Sequence, residues 1–190
     1  MVSAANPGVG KRVGILTSGG DAPGMNPAVR AVARTALSLG ATVFAITEGF
    51  QGMIDGDSGI RELGWEDVSG ILGQGGTVIG TFRSQDFREY SGRKRAAANL
   101  VAHGIDRLIV IGGDGSLSGL NQFGSEWNQL LDELRTEGAI TAEQAAAHPA
   151  LMFAGLVGSI DNDLVGTDMT IGADTALQRI TSAIDDLSST

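Results

Sequence analysis

Short uninterrupted apolar runs alternate along the chain with stretches of helical period, the order expected of strands alternating with helices. Val13-Gly-Ile-Leu-Thr17 is the first run, and it breaks at Ser18-Gly-Gly-Asp-Ala-Pro-Gly24. Val29, Val32, Ala33, Ala36 and Leu37 then recur at the spacing of one helix face. Asn26 is expected to cap this helix, with Pro27 at its first position and Gly40 at its end. Thr42 to Thr47 is a second run, so strand, helix and strand form a βαβ unit and predict a parallel sheet. Glu48 to Gly59 is glycine-rich and reads as irregular, and Trp65 to Leu72 reads as a short helix. Gly75 to Thr81 holds too much glycine for a central strand and should deliver Phe82-Arg83-Ser84 to a surface.

Ser91 to His103 carries Ala96, Leu100 and Val101 on one face and stops at Gly104, again a helix. The third run, Arg107 to Ile111, continues into Gly112-Gly-Asp-Gly-Ser116, with a helix expected from near Ser116. Asn128 to Ala147 is polar and alanine-rich and reads as surface helices inserted between strands, Thr141 and Gln144 fitting a capping box. Leu151 to Val157 is the fourth run, and a final helix is expected from Gly172 or Asp174 past Ile184. No repeat or linker divides the chain. It reads as a flexible arm over 1–11 and one α/β lobe over 12–190.

Composition narrows the function classes. The chain has 190 residues and a net charge of −9, from 22 acids against 13 bases, and no basic stripe, which speaks against a nucleic-acid partner. Only Lys11 and Lys94 are lysines; the arginines suit bidentate contacts to phosphate or carboxylate. Cysteine is absent, so disulfides and thiolate metal sites are excluded. With no apolar run near 18 residues and no signal-peptide core, a soluble cytoplasmic protein without a membrane partner is expected. Glycine numbers 29, falling in clusters that suit tight turns and close backbone approach to a ligand.

Three strands finish in glycine-plus-acid turns: Gly19-Gly20-Asp21, Gly112-Gly113-Asp114, and Gly158 through Asp163. In a parallel sheet these ends share one rim, where ligands bind. Gly20 and the Gly113–Ser116 amides can cradle phosphates, and Asp114 can hold a metal. Asp161 and Asp163, one residue apart, would project to the same side of an extended segment, where one acid can act as base; a hydrogen-bonded Asx-turn is the alternative. Arg83 can meet migrating charge, although a lone loop arginine is often only solvated. Arg30 and Arg34 sit one turn apart, either solvated or marking an anion site. No Walker loop and no G-x-G-x-x-G follows a strand, so P-loop and dinucleotide-binding readings fail.

Leu16-Thr-Ser-Gly-Gly-Asp-Ala-Pro-Gly-Met-Asn26, Ile111-Gly-Gly-Asp-Gly-Ser116 and Gly158-Ser-Ile-Asp-Asn-Asp163 together resemble the 6-phosphofructokinase family from about Arg12 onward. The wording around Gly155 to Gly172 and the insert around Glu126 to Pro149 are similar to the amino-terminal part of the eukaryotic, particularly fungal, type. The resemblance implies a three-layer Rossmann-like sandwich with a mainly parallel sheet. It implies ATP-dependent phosphorylation of fructose 6-phosphate at its 1-hydroxyl, with Mg2+, in an allosteric homo- or hetero-oligomer. Gly20, Arg83, Ser84, Gly113, Asp114, Gly115 and Ser116 would contact ATP, and Asp114 would hold Mg2+. Ser159, Ile160 and Asp161 would contact the sugar phosphate; Asp161 would be the base, supported by Asp163, while Arg83 stabilises the phosphoryl in flight. Pyrophosphate-using members typically carry Asp in place of Gly115 and Lys in place of Gly158, so glycine at both favours ATP. Arg30 and Arg34 match positions that bind effectors in bacterial relatives. The family's second lobe is missing, so the chain is expected to be an incomplete phosphofructokinase fold, inactive alone. The alternative is a non-catalytic nucleotide- or effector-binding half.

Overall fold

The structure is a computed structural model that describes residues 6–189. The sheet strands are β1 (Arg12–Ser18), β2 (Thr42–Ile46), β3 (Ile60–Leu63), β4 (Arg107–Gly112), β5 (Met152–Ser159) and β6 (Ile171–Gly172). The helices are α1 (Met25–Ser38), α2 (Phe50–Asp55), α3 (Tyr90–Ala102), α4 (Asp114–Thr136), α5 (Ala142–Ala147) and α6 (Ala173–Ser188). The strand order is β3-β2-β1-β4-β5-β6, and every pair is parallel except β2 with β3.

Alternation along the strands builds the three layers. Leu16, Phe44, Ile46, Leu108 and Val110 face a core closed by Met53 of α2, Leu100 of α3 and Phe123 and Trp127 of α4. Their neighbours Val13, Ile15, Val43, Ala45 and Ile111 face the other way, against Met25, Val29 and Ala33 of α1 and Ile79. The expected mainly parallel α/β sandwich is therefore present.

Several local expectations are corrected. The cap of α1 is Gly24, at φ +94, a conformation glycine adopts without strain. Asn26 lies inside the first turn and Pro27 one residue further on, still where no helical N–H partner is needed. Gly40, at φ +87, follows the end of α1 as expected. The segment read as irregular holds α2 and leads into β3, whose edge position and short length blur its pattern. Trp65 to Leu72 contains only a 3-10 turn, 66–68. The helix after β4 starts at Asp114 and runs unbroken to Thr136, so the region from Asn128 is not a surface insertion up to that point. Leu120, Phe123, Trp127, Leu130, Leu131 and Leu134 form one buried stripe, and Trp127 Nε1 donates to His148 O at 3.0 Å. The capping box at α5 forms as read, Thr141 Oγ1 accepting from Gln144 N and Gln144 Oε1 from Thr141 N. Of the expected arm, residues 1–5 lie outside the described residues. Residues 6–10 turn back so that Gly8 N–H donates to Leu39 O at 2.9 Å. Along α6, Leu177, Ile180, Ile184 and Leu187 are exposed.

Candidate active site

β1, β4 and β5 run in the same direction side by side, so the loops leaving their carboxyl ends open on one rim. A cavity of about 780 Å3 lies there. Close approach of the strand ends depends on Gly112: a Cβ there would stand 2.5 Å from Ser18 O and 2.8 Å from Ser116 Cβ. Gly113 then caps α4 in an extended conformation, its carbonyl accepting from the N–H groups of Ser116 (3.0 Å) and Leu117 (3.1 Å). The first-turn N–H groups of Asp114 and Gly115 have no partner within the helix. Together with the dipole of a 23-residue helix they make this end attractive to anions. A Cβ on Gly115 would meet nothing within 4 Å, whereas one on Gly158 would press on Ile111 Cγ2 and Met25 Cε, both at 3.1 Å.

Arg83 reaches the same rim from the long connection after β3. Its Nη2 lies 3.9 Å from where a Cβ of Gly20 would stand, so the guanidinium sits beside the β1 turn. Ser84 lines the cavity too, but its hydroxyl donates to Gln51 Oε1 (2.7 Å) and accepts from Phe87 N–H (3.1 Å). The serine thus anchors the loop rather than presenting a free hydroxyl proton.

Beyond β5, Ser159 Oγ accepts from Asp161 N–H at 3.1 Å. Asn162 adopts φ +51 and its Oδ1 accepts from Thr170 N–H at 2.9 Å, while Thr170 Oγ1 donates to Ser159 O at 2.7 Å. The segment is therefore a closed turn, not the extended stretch expected. The local side-chain-to-backbone bond is made by Ser159, Asn162 reaches on to Thr170, and neither Asp161 nor Asp163 has a side-chain partner among the described residues. Both line the cavity.

The cavity lining brings together Gly20, Arg83 and Ser84; Gly113, Asp114, Gly115 and Ser116; Ser159, Ile160, Asp161 and Asp163. Arg30 and Arg34 lie on α1 away from it, Arg34 stacking over Trp65 at 4.5 Å. Sequence reasoning missed the other end of the cavity, where Phe50, Phe87, Arg88, Gly119 and Gln122 contribute. The only local signal was the Phe87-Arg88 pair close behind Arg83. It also missed Arg93, whose Nε and Nη2 donate to Glu126 at 2.6 and 2.9 Å and whose Nη1 donates to the carbonyls of Phe87 and Arg88 at 3.0 and 2.6 Å. Hydrogen bonding from Arg93 holds the Glu126 carboxyl below its ordinary range.

Among the described residues no group of three or more His, Cys, Asp or Glu could cage a metal. Asp114 is exposed at the amino terminus of α4. No helix among them is long and apolar enough to cross a membrane.

The chain as a whole has close counterparts. Residues 12–190 match the family described as Phosphofructokinase. The chain belongs to the phosphofructokinase family. It is 58% identical over 183 residues to the ATP-dependent 6-phosphofructokinase, muscle type, of Oryctolagus cuniculus, covering 96% of this chain and 24% of that protein. The Homo sapiens muscle type is 56% identical with the same coverage. Among solved structures, phosphofructokinase from Saccharomyces cerevisiae superposes with a TM-score of 0.92 at 52% identity, over 94% of this chain and 24% of that one. A pyrophosphate-dependent phosphofructokinase from Marinobacter aquaeolei, at 19% identity and a TM-score of 0.63, shares the fold alone. The chain therefore spans about a quarter of the length of the muscle-type and yeast relatives, and animal and fungal phosphofructokinases both stand near it.

Proposed function

We propose that the chain is the ATP-binding part, with the catalytic base, of an ATP-dependent 6-phosphofructokinase. The complete enzyme transfers the γ-phosphoryl of MgATP to the 1-hydroxyl of fructose 6-phosphate. The observation that carries this is the convergence of the Gly19–Gly20 turn, the α4 amino terminus, Arg83 and Asp161 on one cavity.

The amides from Gly113 to Ser116 receive the nucleotide phosphates, and Gly20 lets a phosphate approach the β1 turn closely. Asp114 would hold Mg2+, which would supply positive charge to neutralise the phosphate oxygens. Ser159 and Ile160 contact the sugar phosphate. The Asp161 carboxylate accepts the proton of the 1-hydroxyl as its oxygen attacks phosphorus, and Asp163 supports it from the same turn. Arg83 places positive charge where the transferring phosphoryl gathers negative charge, which is worth more there than in the ground state.

Two glycines favour ATP over pyrophosphate. Open space at Gly115 leaves room for the rest of the nucleotide, and Gly158 is packed too closely against Ile111 and Met25 to accept a lysine without movement. Replacing Asp161 by Ala in the complete enzyme should lower kcat by about a hundred- to ten-thousandfold and leave ATP affinity within about threefold, since only the proton acceptor is removed. A coupled assay with equilibrium ATP binding checks this, and turnover near that of the wild type would refute the mechanism. A non-catalytic nucleotide-binding role for this half predicts no change on that substitution.

A further inference from the structure

Residues 69–85 form neither helix nor strand, yet they carry Arg83 to the cavity. Gly73, Gly75, Gly76 and Gly80 make such a segment loose by itself. We propose that Asn26 and Thr81 are positioning residues that hold this strap, and so Arg83, in place; the proposal rests on the phosphoryl-transfer role given to Arg83 above.

Asn26 is 1% exposed, and its amide is spent on the strap. Nδ2 donates to Gln74 O and Gly75 O, both at 3.2 Å, and Oδ1 accepts from Val78 N–H at 2.7 Å. One side chain therefore supplies both the donors and the acceptor that a neighbouring strand would otherwise provide. Thr17 continues the series from β1, donating to Gly80 O at 2.7 Å and pairing with Thr77 Oγ1 at 2.8 Å. Glu48 N–H donates to Ile79 O at 3.0 Å. Thr81 Oγ1 donates to Gly19 O at 2.7 Å, in the β1 turn itself. On the far side, Ser84 is tied to Gln51 at 2.7 Å. Arg83 is thus suspended between two anchors, with Phe82 as the only other residue between Thr81 and Ser84.

Two consequences follow from the chemistry. Asn26 does not line the cavity, and its side-chain hydrogen bonds go to Gln74, Gly75 and Val78, so the strap is the route by which it acts on catalysis. An aspartate of the same shape would set acceptors against the Gln74 and Gly75 carbonyls, so shape alone does not preserve the function. Misplacing a catalytic group by about 1 Å is enough to lower a rate about a hundredfold.

The test is a set of cycles in the complete enzyme: N26A, N26D and T81V, each alone and combined with R83A. Thermal melting confirms folding. Thr81 lies outside the buried cluster, so T81V carries the test should the Asn26 variants fail to fold. The expected result is a fall in kcat of about ten- to a hundredfold for each single variant, with KM for fructose 6-phosphate within about threefold of wild type. In the R83A background the same substitutions should lower kcat by less than about threefold, because the group they position is gone. Equal losses in both backgrounds, or single variants at wild-type kcat, overturn the proposal while leaving Arg83 its role. R83A turning over like the wild type overturns the role of Arg83 and this inference with it.

Discussion

Glu126 offers a quantitative test of how the Phe87–Arg88 end of the cavity is built. Its carboxylate takes two N–H groups of Arg93, at 2.6 and 2.9 Å, and the same guanidinium holds the carbonyls of Phe87 and Arg88, which line the cavity. The Arg93 side chain is 5% exposed and cannot shed its proton, so removing the partner charge strands a cation. Breaking an enclosed pair this way costs about 3–5 kcal/mol. Here the Glu126 side chain is 20% exposed, and glutamine keeps one acceptor, so E126Q should cost about 2 kcal/mol. In a domain of this size that lowers Tm by roughly 4–8 °C. Because the folded carboxyl is held below its ordinary value of 4.5, its contribution is complete above that pH and fades as pH falls through the lower folded value. The melting gap between wild type and E126Q should accordingly be widest near neutrality and close in acid. Melting curves from pH 3 to pH 7 test this. A gap under about 1 °C at pH 7, or one that persists unchanged at pH 3, would refute the reasoning.

Two other outcomes probe the elements around that cluster. Burial, followed by its hydrogen bond to Glu133 at 2.8 Å, pushes the Tyr90 hydroxyl up to about 12. As Tyr90 is the single tyrosine, phenolate absorbance of this chain should rise near pH 12 instead of 10; the associated stabilisation is complete below pH 10 and is lost as pH rises through the folded value. Removing the α5 cap with T141A should cost about 1 kcal/mol and speed amide exchange over 142–147 while leaving exchange in α3 unchanged.

Long periodic elements were legible from sequence because burial imposes their period directly: β1, α1, β2, α3, β4 and the capping box of α5 all stand within a residue or two of their sequence pattern. Elements whose signal is only local were not. β3 is a four-residue edge strand with two exposed positions, and β6 has two residues, too short to show any alternation. The full length of α4 was obscured because its polar face dominates the composition after Asn128, although Leu130, Leu131 and Leu134 continue the stripe begun by Leu120.

The site divides along the same line. The glycine-plus-acid turns were visible in sequence, since such turns at parallel strand ends must share a rim once the sheet order is right, whereas Arg83 and Ser84 come to it from a connection with no regular pattern. What the sequence alone determined is therefore the order of the four long parallel strands and their main helices, the rim and much of its chemical inventory. Only the tertiary structure decided how that inventory is held. Asn26, which has the look of a helix cap, spends its amide on a strap some fifty residues away. Asp161 and Asp163 share the cavity through a turn closed by Asn162 and Thr170, and Arg93 grips the Phe87–Arg88 turn from α3 with Glu126 of α4. Such bonds join residues distant in the chain, so nothing in local periodicity or propensity encodes their partners.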